Sequence, residues 1–307
     1  MDRREVVLVT GCSSGLGRAL AVALHEFTTP DGSNPYKVFA SARKPADIDS
    51  LKETGVDAVQ LDVTDAGSVA AAVSSIRQKA GRIDVVVNNA GILSAGPLVE
   101  SSMQNLERAM DTNLLGAMRV IQAVVPEMME RRKGMIVNIG SVAGHLVTPF
   151  AAMYHASKAA LLAISESLKM ELSPWDIKVM LVEAGAFKSA LSENSADAVQ
   201  TYSSKESLYS PIAESIRDRV FMSQRDPKVM SVDAVAQQII AAMRRKNTPW
   251  RVPVAGNYCK FMFWAFLQKW VAPGIVDGLL QNKFGLTKLG QIIMGESSQT
   301  TQGSKSE

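Results

Sequence analysis

Short runs of apolar, largely β-branched residues alternate along the chain with stretches whose apolar positions recur every three or four residues. The first pattern reads as strand and the second as helix. Strands are predicted at Val6–Thr10, Lys37–Ala42, Ala58–Leu61, Val85–Asn88, Met135–Ile139, Lys178–Glu183 and Arg251–Val254. Helices are predicted at Leu16–Phe27, Gly67–Ala80, Leu106–Met129, Met153–Leu172, part of Ser195–Phe221, and Val232–Arg245. Most of the strands are continuous apolar runs, as expected when both faces of a parallel sheet are covered. Strand and helix in strict alternation predict one α/β unit, a doubly wound parallel sheet with helices on both faces. No linker or repeat interrupts it before residue 250; residues 251–294 follow as an aromatic-rich helical extension, and 295–307 read as a polar tail without structure.

Composition narrows the functional classes. Apolar residues make up 47% and charged residues 21% of the 307, which excludes bulk disorder. The formal charge, 33 − 30 = +3, comes without a Lys/Arg block, so nucleic acid is not an expected partner. Two cysteines, Cys12 and Cys259, leave no disulfide framework, and three histidines (His25, His145, His155) offer little to a metal. The N-terminal apolar run is too short for a signal peptide and no run reaches a spanning length of about 18–20 residues, so a cytoplasmic chain is expected.

Chemistry concentrates at strand ends. Thr10-Gly-Cys-Ser-Ser-Gly-Leu-Gly17 leaves the first strand and opens a helix. Gly11, Gly15 and Gly17 permit a tight turn and close approach of backbone to a pyrophosphate, with Ser13, Ser14 and Leu16 beside it at a helix N-terminus. The same residues match the Gly-x-Ser-x-Gly elbow of α/β-hydrolases, but such a triad needs a downstream histidine, and the last one is His155. The second strand ends Ser41-Ala-Arg43-Lys44 without the acid that binds an NAD ribose. Arg43, with Ser41 and Ser13, suits a 2′-phosphate, so NADP(H) is the expected cofactor, with a solvated strand-end arginine as the plain alternative. Tyr154 and Lys158 stand four apart in a helical pattern, where a cation beside a phenol lowers its pKa toward usefulness as an acid or base. Ser141 ends a strand thirteen residues earlier, and Asn113 lies in a helix it does not favour.

The ordered set Thr10–Gly17, Leu61-Asp62-Val63, Asn88-Asn89-Ala90-Gly91, Asn113, Ser141, Tyr154 and Lys158 resembles the classical short-chain dehydrogenase/reductase family over roughly residues 5–250. Within it the layout is most similar to the estradiol-type 17-beta-hydroxysteroid dehydrogenases, the retinol dehydrogenases and the acyl-dihydroxyacetone-phosphate reductases. The resemblance implies Tyr154 as general acid, Ser141 orienting the substrate oxygen, Lys158 lowering the Tyr154 pKa and binding the nicotinamide ribose, and Asn113 holding a relay water. It implies Asp62 and Val63 at the adenine, Asn88, Asn89, Ala90 and Gly91 along the cofactor cleft, and Gly185, Phe187 and Ser189 closing it. Ala184 stands where the family usually has proline. His145 is a candidate substrate contact; Cys12 reads as a turn residue.

Residues 186–231 should then form a substrate lid, with Leu191, Tyr202, Leu208, Tyr209 and Phe221 as apolar contacts. Eight of the eighteen aromatics fall in residues 250–284, with Lys260, Lys269 and Lys283 among them. That stretch reads either as an interfacial segment for a membrane or lipid droplet or as packing on the core or a subunit. The expected reaction is NADPH-dependent reduction of a ketone or aldehyde on a lipophilic steroid, retinoid or acyl-glycerone. The alternatives are an NAD-linked alcohol dehydrogenase and a non-catalytic dinucleotide sensor. The resemblance also implies a homo-oligomer.

Overall fold

The computed structural model describes residues 3–187, 206–225, 229–254 and 256–303. Seven strands form one all-parallel sheet: β1 (Glu5–Val9), β2 (Tyr36–Ala42), β3 (Asp57–Gln60), β4 (Val85–Asn88), β5 (Gly134–Ser141), β6 (Ile177–Ala184) and β7 (Arg251–Val254). Their spatial order is β3-β2-β1-β4-β5-β6-β7, so the chain reverses direction between β1 and β4. Ligand clefts of open α/β sheets lie at that point, beyond the carboxyl ends of the strands.

Strand alternation builds two cores from one sequence run. Val7 and Val9 of β1 face the helices Gly15–Glu26 and Val232–Met243, packing against Leu20, Leu24 and Ile239. Val6 and Leu8 face the other layer, where Val73, Ile76, Val120 and Val124 come from the helices Ala66–Ala80 and Gly116–Arg131. The helix Ala152–Glu171, which carries Tyr154 and Lys158, closes that layer through Leu168.

Two expectations are corrected. The single helix read at Leu106–Met129 is two, Met103–Met110 and Gly116–Arg131, joined by a π-helical turn at Asp111–Leu115. The turn shifts the register so that Asn113 points inward, an effect invisible to a 3.6-residue period. The tail expected to lack structure from residue 295 continues the final helix, Leu286–Gly303, because extending an existing helix needs no new nucleus.

The C-terminal extension divides its apolar residues between packing and solvent. Phe284 and Leu289 are buried with Phe150, Ile212 and Ile216, which ties the extension to the helix Ala213–Arg225 and to the loop after β5. Phe263, Phe266, Trp270, Ile275 and Leu279 remain exposed.

Candidate active site

A cleft of about 840 Å³ opens at the carboxyl ends of the strands, at the upper end of ligand-pocket volumes. Its floor at one end is the glycine loop. Gly11 (φ +70°) and Gly15 (φ +58°) take backbone conformations that an L side chain resists. A Cβ on Gly17 would fall 2.4 Å from the Gly11 carbonyl oxygen and 2.3 Å from Asn89 Nδ2. Gly17 thus serves as a packing contact under the loop and does not line the cleft. The loop is fixed from behind: Thr10 Oγ1 accepts from the backbone N–H groups of Asn89 (3.0 Å) and Ala90 (3.1 Å), and Asn89 Nδ2 donates to the carbonyls of Thr10 and Gly11. Ser14 caps the first helix without a side-chain bond, leaving that N-terminus to other anions. Burial pushes the Cys12 thiol up to about 12, consistent with a packed turn residue and not a redox thiol.

Ser13, Ser14, Gly15 and Leu16 line the cleft with Arg43, Asp62, Val63, Asn89, Ala90, Gly91, Gly185 and Phe187. Burial opposes ionisation of Asp62, but the Thr64 hydrogen bonds, Arg43 and Arg108 outweigh it and hold the carboxyl below its usual range. Two expected contacts fall elsewhere. The Ser41 hydroxyl is buried and donates to the Val9 carbonyl (3.2 Å), because strand alternation turns it to β1. Asn88 lies beneath the cleft, its Nδ2 donating to Asn138 Oδ1 (2.9 Å), in a chain that continues to Ser165. Ser189 falls outside the described residues, as do Leu191 and Tyr202 of the expected lid.

At the other end of the cleft stand Ser141, Tyr154 and Lys158. Ser141 Oγ accepts from the Ala143 N–H (3.1 Å), which fixes the hydroxyl at the close of β5. Lys158 Nζ donates to the Ile139 carbonyl (2.7 Å) and lies 5.8 Å from the Tyr154 ring centre. Desolvation lowers Lys158 to about 8. The expected lowering of Tyr154 does not appear. Burial raises the phenol's pKa, against the lowering effects of Ser141 and Arg219, and Lys158 directs its ammonium to the Ile139 carbonyl.

Asn113 does not line the cleft. Its Oδ1 accepts from the Ile92 N–H (2.7 Å), and its Nδ2 donates to the Ile92 carbonyl (2.9 Å) and Ser157 Oγ (3.0 Å). With both amide hydrogens committed, it fastens the loop after β4 to the Tyr154 helix and is a positioning residue here.

His145 is also corrected. Its Nε2 meets Glu183 Oε1 at 2.6 Å and Arg251 Nη2 at 3.2 Å, away from the cleft. Glu183, 1% exposed, also accepts from Arg251 and from Tyr258 Oη (2.5 Å), so one carboxylate joins β6, β7, the loop after β5 and the C-terminal extension. Burial opposes its ionisation, but His145, Arg251 and Tyr258 prevail and pull its pKa from 4.5 to about 2. The ionised form is therefore favoured by folding: the stabilisation is complete above about pH 4.5 and is lost as pH falls toward 2. Glu183→Gln should cost about 3 kcal/mol at pH 7 and flatten the acid limb of stability between those values, measured by urea denaturation across pH. An unchanged limb would show that the cluster contributes nothing.

Sequence reasoning passed over three side chains that shape the substrate end. His155 is buried, its Nδ1 2.8 Å from the Ala143 carbonyl and its Nε2 within 3.2 Å of Thr148 N and 3.0 Å of Thr148 Oγ1. Burial lowers its pKa to about 4, so it is neutral, with Nδ1–H donating and Nε2 accepting. Arg219 Nε donates to Thr148 Oγ1 (2.9 Å), and Phe261 of the C-terminal extension completes the wall. Only the Arg219 position lacked any motif signal, since a helix far along the chain delivers it.

The sequence model of a family described as short chain dehydrogenase matches residues 5–200. The chain is 34% identical to the NADPH-dependent 1-acyldihydroxyacetone phosphate reductase of Schizosaccharomyces pombe over 62% of each. It is 38% identical to 17-beta-hydroxysteroid dehydrogenase type 1 of Homo sapiens, over 62% of this chain and 59% of that protein. It is 34% identical to retinol dehydrogenase 8 of Bos taurus over 80% of this chain and 83% of that one. The first two matches thus span about three fifths of the relatives' length. Among solved structures, a short-chain dehydrogenase from Streptomyces avermitilis superposes with a TM-score of 0.70 at 28% identity, covering 96% of this chain and 99% of that one.

Proposed function

The chain belongs to the short-chain dehydrogenase family, and from that premise we propose that it is an NADPH-dependent reductase of a ketone or aldehyde on a lipophilic molecule. One observation carries the reading: Ser141, Tyr154 and Lys158 line the same cleft as the glycine loop and Arg43, with the reactive trio at one end and the cation at the strand end of β2. The cradle suits a dinucleotide, because the side-chain-free Gly11 packs directly on Ala90 at its wall and the first helix offers an uncapped N-terminus. The missing acid after β2 and the presence of Arg43 favour the 2′-phosphorylated form, in keeping with the named cofactor of the fission-yeast relative.

NADPH, when bound, supplies the hydride. Ser141 holds the substrate oxygen, and Tyr154 Oη carries the proton that the oxygen takes up. Lys158 binds the ribose and replaces the proton on Tyr154 once drawn from the Ile139 carbonyl. Steroid, retinoid and acyl-glycerone carbonyls fit the relatives' names and the apolar lining of Leu93, Leu146, Val220, Met222 and Phe261. The test is NADPH oxidation against estrone, retinal and an acyl-dihydroxyacetone phosphate. Turnover with one identifies the class, and none with any carbonyl despite NADPH binding favours a dinucleotide sensor.

A lipid surface is the proposed partner of the C-terminal extension. No helix among the described residues is long and apolar enough to cross a membrane. Trp270 is 78% exposed beside Phe266, Ile275 and Leu279, with Lys260, Lys269 and Lys283 also exposed, which suits insertion into an anionic interface. Replacing Phe263, Phe266 and Trp270 by Ser should abolish co-sedimentation with phosphatidylserine vesicles. Unchanged sedimentation, or a loss of dimer instead, would assign the face to something other than lipid.

A further inference from the structure

We propose that Arg219 is an anion-binding residue of the substrate pocket, and that the enzyme takes amphiphiles bearing a phosphate or carboxylate near the reacting carbonyl. The inference deepens the reductase reading and rests on it for the identity of the reacting group. Arg219 projects from the helix Ala213–Arg225 into the cleft, on the side of Tyr154 and Thr148, away from the glycine loop. Among the described residues only its Nε is committed, to the neutral acceptor Thr148 Oγ1; the guanidinium also lies 5.8 Å from the ring centre of Phe284. No carboxylate among the described residues pairs with it, whereas Arg77, Arg82, Arg119, Arg131 and Arg251 each meet an acid within 4 Å.

A half-buried guanidinium without a counter-ion is costly unless a ligand supplies one. Among the described residues, the rest of this part of the cleft does not supply one either. Thr148 and His155 face Arg219 with neutral groups, and the other walls are Leu93, Val220, Met222 and Phe261. The Thr148–His155–Ala143 chain fixes the fork's direction: His155 Nε2 takes the Thr148 hydroxyl hydrogen, which leaves Thr148 Oγ1 free to accept from Arg219. The site is thus a rigid cation beside Tyr154 with an apolar exit over Phe261. Such a shape fits a charged head at the reacting end and a hydrocarbon chain running toward the C-terminal extension. A planar fork holds an oxyanion through two parallel bonds, which a lysine does not reproduce.

The test compares binding of decyl phosphate, decanoate and 1-decanol to the NADP⁺-loaded protein by calorimetry, for the wild type, Arg219→Gln and Arg219→Lys. The two anions should bind the wild type roughly ten- to a hundredfold more tightly than the alcohol, the gain expected of a charge-assisted hydrogen bond. Arg219→Gln should remove that preference while leaving the alcohol and NADP⁺ unchanged, and Arg219→Lys should keep part of it. Equal affinities for the three ligands in the wild type, or a preference that survives Arg219→Gln, would overturn the proposal. So would a loss of turnover in Arg219→Gln that is equal for charged and neutral carbonyls with anion binding intact, which would assign Arg219 to the ionisation of Tyr154. Failure of the reductase reading has a separate signature: the anion preference persists while no carbonyl oxidises NADPH.

Discussion

Tyr154→Phe is expected to lower carbonyl reduction by about 10²–10⁴-fold while NADPH affinity and thermal stability stay near the wild-type values. The substitution removes one oxygen and nothing else. The ring keeps its edge-on contact with His155 and its place 5.8 Å from Lys158 Nζ, and among the described residues no backbone hydrogen bond depends on the hydroxyl. What disappears, on the proposed mechanism, is the proton donor for the developing alkoxide. Burial raises the Tyr154 pKa, so in this arrangement the phenol is held as an acid, the state that reduction requires. The oxidative direction needs the phenolate, and Lys158, lowered to about 8 by desolvation, is placed to favour it only if its ammonium leaves the Ile139 carbonyl. Alcohol oxidation should therefore rise with pH through the alkaline range while reduction falls, measured as initial rates in both directions. A Tyr154→Phe enzyme within tenfold of wild type would mean that another group, Lys158 or water, delivers the proton.

Arg43→Leu should weaken NADPH roughly tenfold or more and leave NADH nearly unchanged, as read from KM for each cofactor. Arg43 is exposed at the end of β2, so the proposed contact with a 2′-phosphate would be screened and the loss should shrink with added salt. Lys44 beside it keeps part of the positive potential, which bounds the effect. Asp62 also responds: Arg43 helps hold its carboxyl ionised, and without that cation its pKa moves back toward the ordinary value. An unaltered preference for NADPH would make Arg43 a solvated strand-end residue and would reopen the NAD-linked alternative.

Much of the fold was legible because a doubly wound sheet writes itself plainly. Apolar runs such as Val6–Val9 and Val85–Val87 are buried on both faces and fall in the observed strands. The glycine loop and the pair Tyr154 and Lys158 were equally visible, since each depends on contacts a few residues apart. The errors share a physical origin. Ser41, Asn88 and His145 sit close in sequence to the cleft, yet strand alternation or a hydrogen bond to a buried carboxylate turns each side chain elsewhere. Asn113 was placed correctly in the chain, but the direction of its side chain was not legible, because a π-helical turn sends its amide to Ile92 and Ser157. Arg219 and the Glu183 cluster were out of reach because each joins segments 38 or more residues apart. No local pattern encodes such meetings.

The account stands most directly on transfer of hydride from bound NADPH to a lipophilic carbonyl. Its test is a single-turnover reaction of the protein with NADPH carrying deuterium on the transferring face of C4, with retinal and an acyl-dihydroxyacetone phosphate as acceptors, the alcohol being weighed by mass spectrometry. One deuterium on the carbinol carbon, absent with Tyr154→Phe over the same interval, is the predicted result. An unlabelled product, or NADPH bound and never consumed by either acceptor, would contradict it.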